Sequence, residues 1–209
     1  TWQVTGQAPE ELKELLPALD ERQSNLRLCL LGAFEELLPK ANQSYYFLRA
    51  GERFLRDGNY GNAMNCLQNA KEKAYWEGSL TVQMESCAYL GSCYSNLNQL
   101  VQARMHYALA SRMARSLGRQ EDVQTISYNR AVAEINNGQP ELALRHLLEH
   151  PWEEGMYYHK LALCYELLDR KDKAREALNR ALEAPFGTTH LDARSYDADA
   201  IRTTFEQMC

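Results

Sequence analysis

Slid along itself by 40 residues, the chain superimposes three stretches on one another, and this internal period constrains its fold more than any other feature. Gly51 falls on Gly91 and then on Ala131, Gly58 on Asn98 and Gly138, and Ala63 on Ala103 and Ala143. Leu67 falls on Tyr107 and Leu147, and Gly78 on Gly118. Small and large apolar residues at fixed offsets with a period in the range of roughly 20–50 residues mark a helical solenoid. Each unit is a pair of helices that cannot bury its apolar faces alone, so neighbouring pairs must stack. The pattern predicts an all-α, right-handed α-α superhelix of about four helix pairs, with a further helix at each end.

A fourth copy follows at a shorter interval. Ala162, Tyr165, Ala174, Leu178 and Ala181 repeat the pattern 31 residues beyond the third copy. The cause of the shortening is His150-Pro151, because proline cannot continue a helix interior. The helix that begins near Pro140 is expected to stop near Glu149, one to two turns earlier than its predecessors.

The repeats predict units over 42–78, 79–118, 121–150 and 154–184 within one structural domain. Residues 1–41 do not align with them. Pro9-Glu10-Glu11 reads as a helix start, Pro17 interrupts it, and Leu26, Leu30, Ala33, Phe34 and Leu37 keep helical spacing. We expect this segment to cap the first pair, and 185–209, with Tyr196, Ala200, Ile201, Phe205 and Met208, to cap the last. The start at Thr1, without methionine, leads us to expect a trimmed or excised domain.

Apolar residues make up 45% and charged residues 24% of the 209, an ordinary balance for a water-soluble fold. The longest apolar runs fall far short of the ~20 residues needed to span a bilayer. Six cysteines at 29, 66, 87, 93, 164 and 209 form no CxxC pair, and the five histidines show no metal-ligand spacing. Cysteines within helical apolar patterns read as small hydrophobes in a reducing compartment, which points to the cytoplasm. On that reading the sequon Asn42-Gln43-Ser44 is a chance match. Residues 42–120 carry 9 basic and 5 acidic side chains, between acidic flanks of 4 against 7 and 10 against 16. That excess is too small to predict nucleic-acid binding, but it favours an acidic ligand in the middle of the chain.

The units resemble tetratricopeptide repeats. Phe47, Gly51, Phe54, Gly58, Tyr60, Ala63, Leu67 and Ala70 fall at the offsets of that motif, and Leu90-Gly91, Tyr94, Ala103, Tyr107 and Ala110 follow in the second unit. Ala131, Gly138, Ala143 and Leu147 continue it, then Leu161-Ala162, Tyr165, Ala174 and Ala181, with Pro185 near a proline often found in the motif. The usual period is about 34; 40 is similar to the longer-helix variants of kinesin light chains and bacterial peptide-sensing regulators. Ser127 and Glu134 depart from the pattern in the third unit.

The resemblance implies a concave surface lined by the first helix of each pair. Carried over, it gives Tyr45, Arg49, Glu52 and Arg56 from the first unit and Glu85, Tyr89, Ser92 and Asn96 from the second. The third gives Tyr128, Asn129, Val132 and Asn136, and the fourth His159 and Lys160. Tyr45, Arg49, Arg56, Tyr89, Asn96, Tyr128, Asn129 and Asn136 form the expected partner-binding groove. Asparagine is a weak helix former, and an inward asparagine amide can hold both the N–H and C=O of an extended peptide. Leu48 and Glu52 stand where some relatives place a lysine and asparagine clamp for a terminal carboxylate, so a chaperone-tail ligand is disfavoured.

No GxGxxG, Walker A, HExxH or GxSxG sequence is present. Glu35-Glu36 and Glu153-Glu154 are sequence neighbours whose side chains diverge on a helix. The sequence therefore points away from an enzyme and from any cofactor or metal. It points to a scaffold for a protein or peptide ligand, with a peptide-responsive regulatory domain of a larger protein as the alternative.

Overall fold

A computed structural model describes residues 43–184 together with residue 203. The expected capping helices in 1–41 and 185–209 lie outside the described residues. Among the described residues the chain is entirely helical, built as consecutive helix pairs, and it divides into two compact units at 117/118. The first contains α1 (Gln43–Arg56), α2 (Tyr60–Trp76), α3 (Leu80–Asn96) and α4 (Leu100–Ser116). The second contains α5 (Gln120–Asn136), α6 (Pro140–Glu149), α7 (Gly155–Leu167) and α8 (Lys171–Glu183). Within the first unit each helix packs on the next, and α1 also touches α3. The second unit repeats this scheme, with α5 reaching α7. The first helices of successive pairs in each unit therefore lie side by side.

The turn inside every pair is the same piece of chemistry. Gly58, Asn98, Gly138 and Asp169 all take left-handed backbone angles, with φ of 76°, 56°, 68° and 55°. Each reverses the chain through two hydrogen bonds, from its own N–H to the carbonyl three back and from the next N–H to the carbonyl five back. Gly58 N donates to Leu55 O at 3.0 Å and Asn59 N to Phe54 O at 2.8 Å, and the other three turns match these. This is a Schellman closure, which satisfies carbonyls a helix end leaves open. Glycine takes the left-handed angle without strain, and asparagine and aspartate tolerate it.

The two helices of a pair meet at a position where a side chain has no room. A methyl built on Gly51 would lie 2.6 Å from Leu67 Cγ, and one on Gly91 would lie 2.7 Å from the Tyr107 ring. Tyr107 is held there by a hydroxyl pair with Ser92 Oγ at 3.1 Å. Ala63, Ala70, Ala103 and Ala110 are completely buried around these contacts. In the second unit alanines Ala131 and Ala162 take the glycine position, in one core with Ala143, Leu147, Leu178 and Ala181. The pair α1/α2 is tied at its open end as well: Ser44 donates its N–H (3.1 Å) and its hydroxyl to the Glu77 carboxylate. Lys73 Nζ donates to Gln43 Oε1 at 3.0 Å.

The third pair is the irregular one. α6 ends at Glu149, as His150-Pro151 requires, and His150 N keeps a bond to Leu147 O at 3.3 Å. The extended stretch that follows is pinned by neighbours. Gln124 Nε2 donates to Pro151 O at 2.8 Å, Tyr157 Oη donates to Leu147 O at 3.1 Å, and Trp152 sets its ring edge-to-face on Tyr128 at 6.1 Å. Glu134 is completely buried where the first two helix pairs carry Phe54 and Tyr94. His146 and His159 are buried in the same unit, and burial pushes the His159 imidazole down to about 4. Burial, then the Arg130 charge, lowers His146 too.

Two outcomes follow from this packing. Gly91→Ala would gain up to ~1 kcal/mol of helix propensity in open space, yet here it should destabilise the first unit by about 1–3 kcal/mol through overpacking against an anchored ring. The double variant Gly91→Ala/Tyr107→Leu rebuilds the alanine–leucine pairing of Ala131 and Leu147 and should recover part of that loss. Urea denaturation decides it; a single variant as stable as wild type would remove the close-approach argument. The second outcome concerns pH. The unfolded histidine takes its proton near pH ~6.5, above the folded value of about 4 for His159. Its stabilising contribution is therefore complete above pH ~6.5 and is lost as pH falls toward the folded value. The unfolding midpoint should drop between pH 7 and pH 5, and His159→Gln should flatten that slope; equal slopes in the two proteins would rule His159 out.

Candidate partner-binding faces

Helical spacing brings Tyr45, Arg49, Glu52 and Arg56 onto one face of α1, and the structure links them into a ladder. The Arg49 guanidinium lies over the Tyr45 ring, 4.9 Å from its centroid. Arg49 Nη1 reaches Glu52 Oε2 at 2.6 Å, and Arg56 Nη2 reaches Glu52 Oε1 at 2.9 Å. Glu52 is buried while both guanidinium groups stay about half in solvent. Burial works against the Arg49 charge, but its bonds to Glu52 and Tyr45 outweigh it and hold the group above its ordinary range. Both arginines share one carboxylate, so the ladder carries a net charge of one positive unit. Its geometry is fixed before any ligand arrives.

Tyr89 on α3 is buried at this site. Burial pushes its phenol up, and the Glu52 and Glu85 charges add to that while Arg49 and Arg56 oppose it. Asn96, the last residue of α3, is exposed, and its Nδ2 donates to Ser92 O of its own helix at 2.9 Å. That bond occupies a donor which spacing alone would assign to a ligand.

In the second unit the expected residues separate. Tyr128 belongs to the core, against Trp152, Met156 and their neighbours. Asn136 is exposed in the last turn of α5. Asn129 is 8% exposed, and its Nδ2 finds no hydrogen-bond partner. His159 is buried on α7, and the adjacent Lys160 is half-buried. A separate open cleft of about 410 Å³ lies against α6, with Leu144, Leu148 and Leu168 as its apolar lining and Glu141, Arg145 and Arg170 at its polar edge. No sequence signal announced it, because its lining comes from an outer helix face and a turn.

Cys66, Cys87, Cys93 and Cys164 are buried free thiols. Burial pushes Cys66, Cys93 and Cys164 up to about 12 and raises Cys87. Such thiols are poor nucleophiles and poor metal ligands. Among the described residues no group of three or more His, Cys, Asp or Glu side chains could hold a metal ion. No helix among them is long and apolar enough to cross a membrane.

Residues 157–186 match the family model of the tetratricopeptide repeat. No curated protein matches the chain significantly. Among solved structures it resembles the crystal structure of BtubC (BKLC) from P. vanneervenii, with a TM-score of 0.62 and 18% sequence identity. The match covers 93% of this chain and 81% of that one. At that identity the likeness speaks for the fold alone. The matched unit is α7 and α8, and the same turn closure recurs in each pair from α1 to α8, at intervals of 40, 40 and 31 residues. The α7/α8 pair thus matches the tetratricopeptide repeat, and the other helix pairs among the described residues share its fold.

Proposed function

We infer that this chain is a protein-interaction scaffold, the general role of tetratricopeptide repeats. We propose that this chain holds a peptide or a helix of a partner protein against the first helices of its pairs. The carrying observation is the Asn129 side chain, a buried amide whose Nδ2 has no partner. A buried donor left unsatisfied costs about 1–3 kcal/mol. A backbone carbonyl of a bound peptide removes that cost, and the amide oxygen can accept the peptide N–H in return. The α1 ladder supports the same reading. Tyr45 offers a rigid amphipathic ring, and Arg49 and Arg56 are already oriented by Glu52. Tyr89, Tyr128, Asn96 and Asn136 frame these two faces rather than supplying their free hydrogen-bonding groups. The ligand is a protein segment with an acidic bias, and the buried free thiols suit a reducing compartment such as the cytoplasm.

Partners captured from native lysate with the whole protein supply the ligand for titration. Asn129→Ala should weaken binding several-fold, as loss of one or two net hydrogen bonds of ~0.5–1.5 kcal/mol requires. Arg56→Ala, which leaves Arg49 on the buried Glu52 carboxylate, should act chiefly on the association rate and its salt dependence. If both variants bind as wild type does, while a change on an outer helix face abolishes binding, the inner-face assignment is wrong.

A further inference from the structure

The second helix of every pair turns one face to solvent at three repeat-equivalent positions. In α2 these are Gly61, Asn65 and Asn69; in α6 they are Glu141, Arg145 and Glu149; in α8 they are Asp172, Glu176 and Arg180, all exposed. Only α4 makes this face apolar, with Val101, Met105 and Leu109. Val101 and Met105 are each 67% exposed and Leu109 37%. Their spacing of four places them in a continuous strip over about 12 Å of helix. The helix-pair architecture does not call for them, since the three sister helices form it with no apolar side chain at these positions. An exposed apolar strip with no structural role marks an interaction surface.

The charges on the same helix say what covers it. α4 carries Arg104, Arg112 and Arg115 and no acidic residue. Arg112 follows Leu109 by three residues, so it stands in line with the strip, and it is exposed. At the equivalent place α2 has Glu72, the opposite charge. The strip thus ends at two exposed arginines, Arg112 and Arg115, with the half-buried Arg104 nearer the start of the helix. We propose that the outer face of α4 docks an acidic amphipathic helix of a partner protein, its apolar stripe on Val101, Met105 and Leu109 and its carboxylates on Arg112 and Arg115. A helix fits because its anchors at successive turns match a strip with the same repeat. An anionic membrane surface fits less well, since interfacial helices offer a longer apolar face than this strip of about 12 Å. α4 supplies none of the inner-face residues, so this surface and the peptide site stand or fall separately.

The test uses the chain's own alternatives. Met105→Asn/Leu109→Asn and Arg112→Glu install the residues that α2 carries at Asn65, Asn69 and Glu72, and at exposed positions they should leave circular dichroism and melting unchanged. The probe is a fluorescein-labelled 18-residue helical peptide of leucine, alanine and glutamate, with leucines on one face. Controls are a lysine-for-glutamate version and vesicles of phosphatidylcholine with phosphatidylserine. We expect saturable binding of the acidic peptide, at least tenfold weaker binding to Met105→Asn/Leu109→Asn, and weaker, less salt-sensitive binding to Arg112→Glu. Absence of saturable binding overturns the proposal, as does equal binding of the lysine peptide. So does equal binding of the acidic peptide by wild type and Met105→Asn/Leu109→Asn. Vesicle binding without peptide binding would assign the face to a membrane instead. Self-association that the double asparagine variant abolishes would assign it to a second copy.

Discussion

Everything else in the structure follows from how closely the two helices of a pair approach. At Gly51 and Gly91 that approach leaves no space even for a methyl group, because Leu67 and Tyr107 already occupy it. The large residue fills the volume the small one vacates, which is how a two-helix unit reaches interior packing density without a third layer. Ala131 and Ala162 reach the same end with leucine partners in the second unit. The remaining contacts, from the alanines of α2 and α4 to the turn bonds, are possible only at this separation. Within each unit a pair is left with one apolar side, and its neighbouring pair covers it.

This explains which parts of the sequence could be read. The small-against-large positions recur because the packing leaves them little choice, and the turn residues recur because the backbone angle excludes most others. Asp169 shows the limit of pattern matching. It takes the same left-handed turn as Gly58, Asn98 and Gly138, but aspartate is also an ordinary surface residue, so its role was invisible until the four turns could be compared. The end of α6 was legible from Pro151 alone. The bonds that hold the stretch after it were not, since Gln124 and Tyr157 look like any polar and aromatic residue on a helix.

The candidate site was legible by face but not by function. Periodicity placed Asn96 and Asn129 in the same class, yet one turns its amide onto its own helix and the other keeps a buried donor open. Tyr89 and Tyr128 illustrate the same gap. Both lie on the first helix of a pair, and both are buried, Tyr89 beside charges from α1 and Tyr128 among apolar neighbours of the shortened third pair. Spacing gives the direction in which a side chain leaves its helix. What meets it there depends on the neighbouring pair, and a single sequence does not spell that out.

Glu134 and the α4 strip are two opposite departures from the repeat, and they carry different physical meaning. A repeat protein places residues under two kinds of constraint: positions inside a pair answer to packing, and outward positions answer only to water. Glu134 breaks the inner rule, since a carboxylate occupies the position of Phe54 and Tyr94 with no exposure at all. A buried polar side chain costs stability unless it is hydrogen-bonded, and this one lies in the unit that also holds the buried histidines and the truncated helix. Val101, Met105 and Leu109 break the outer rule. An apolar residue on a largely solvated face needs no compensation from the fold, and the little area it buries adds little to stability. Nothing inside the unit requires a departure of that kind, so its cause has to lie outside the fold, in whatever meets α4 from solvent.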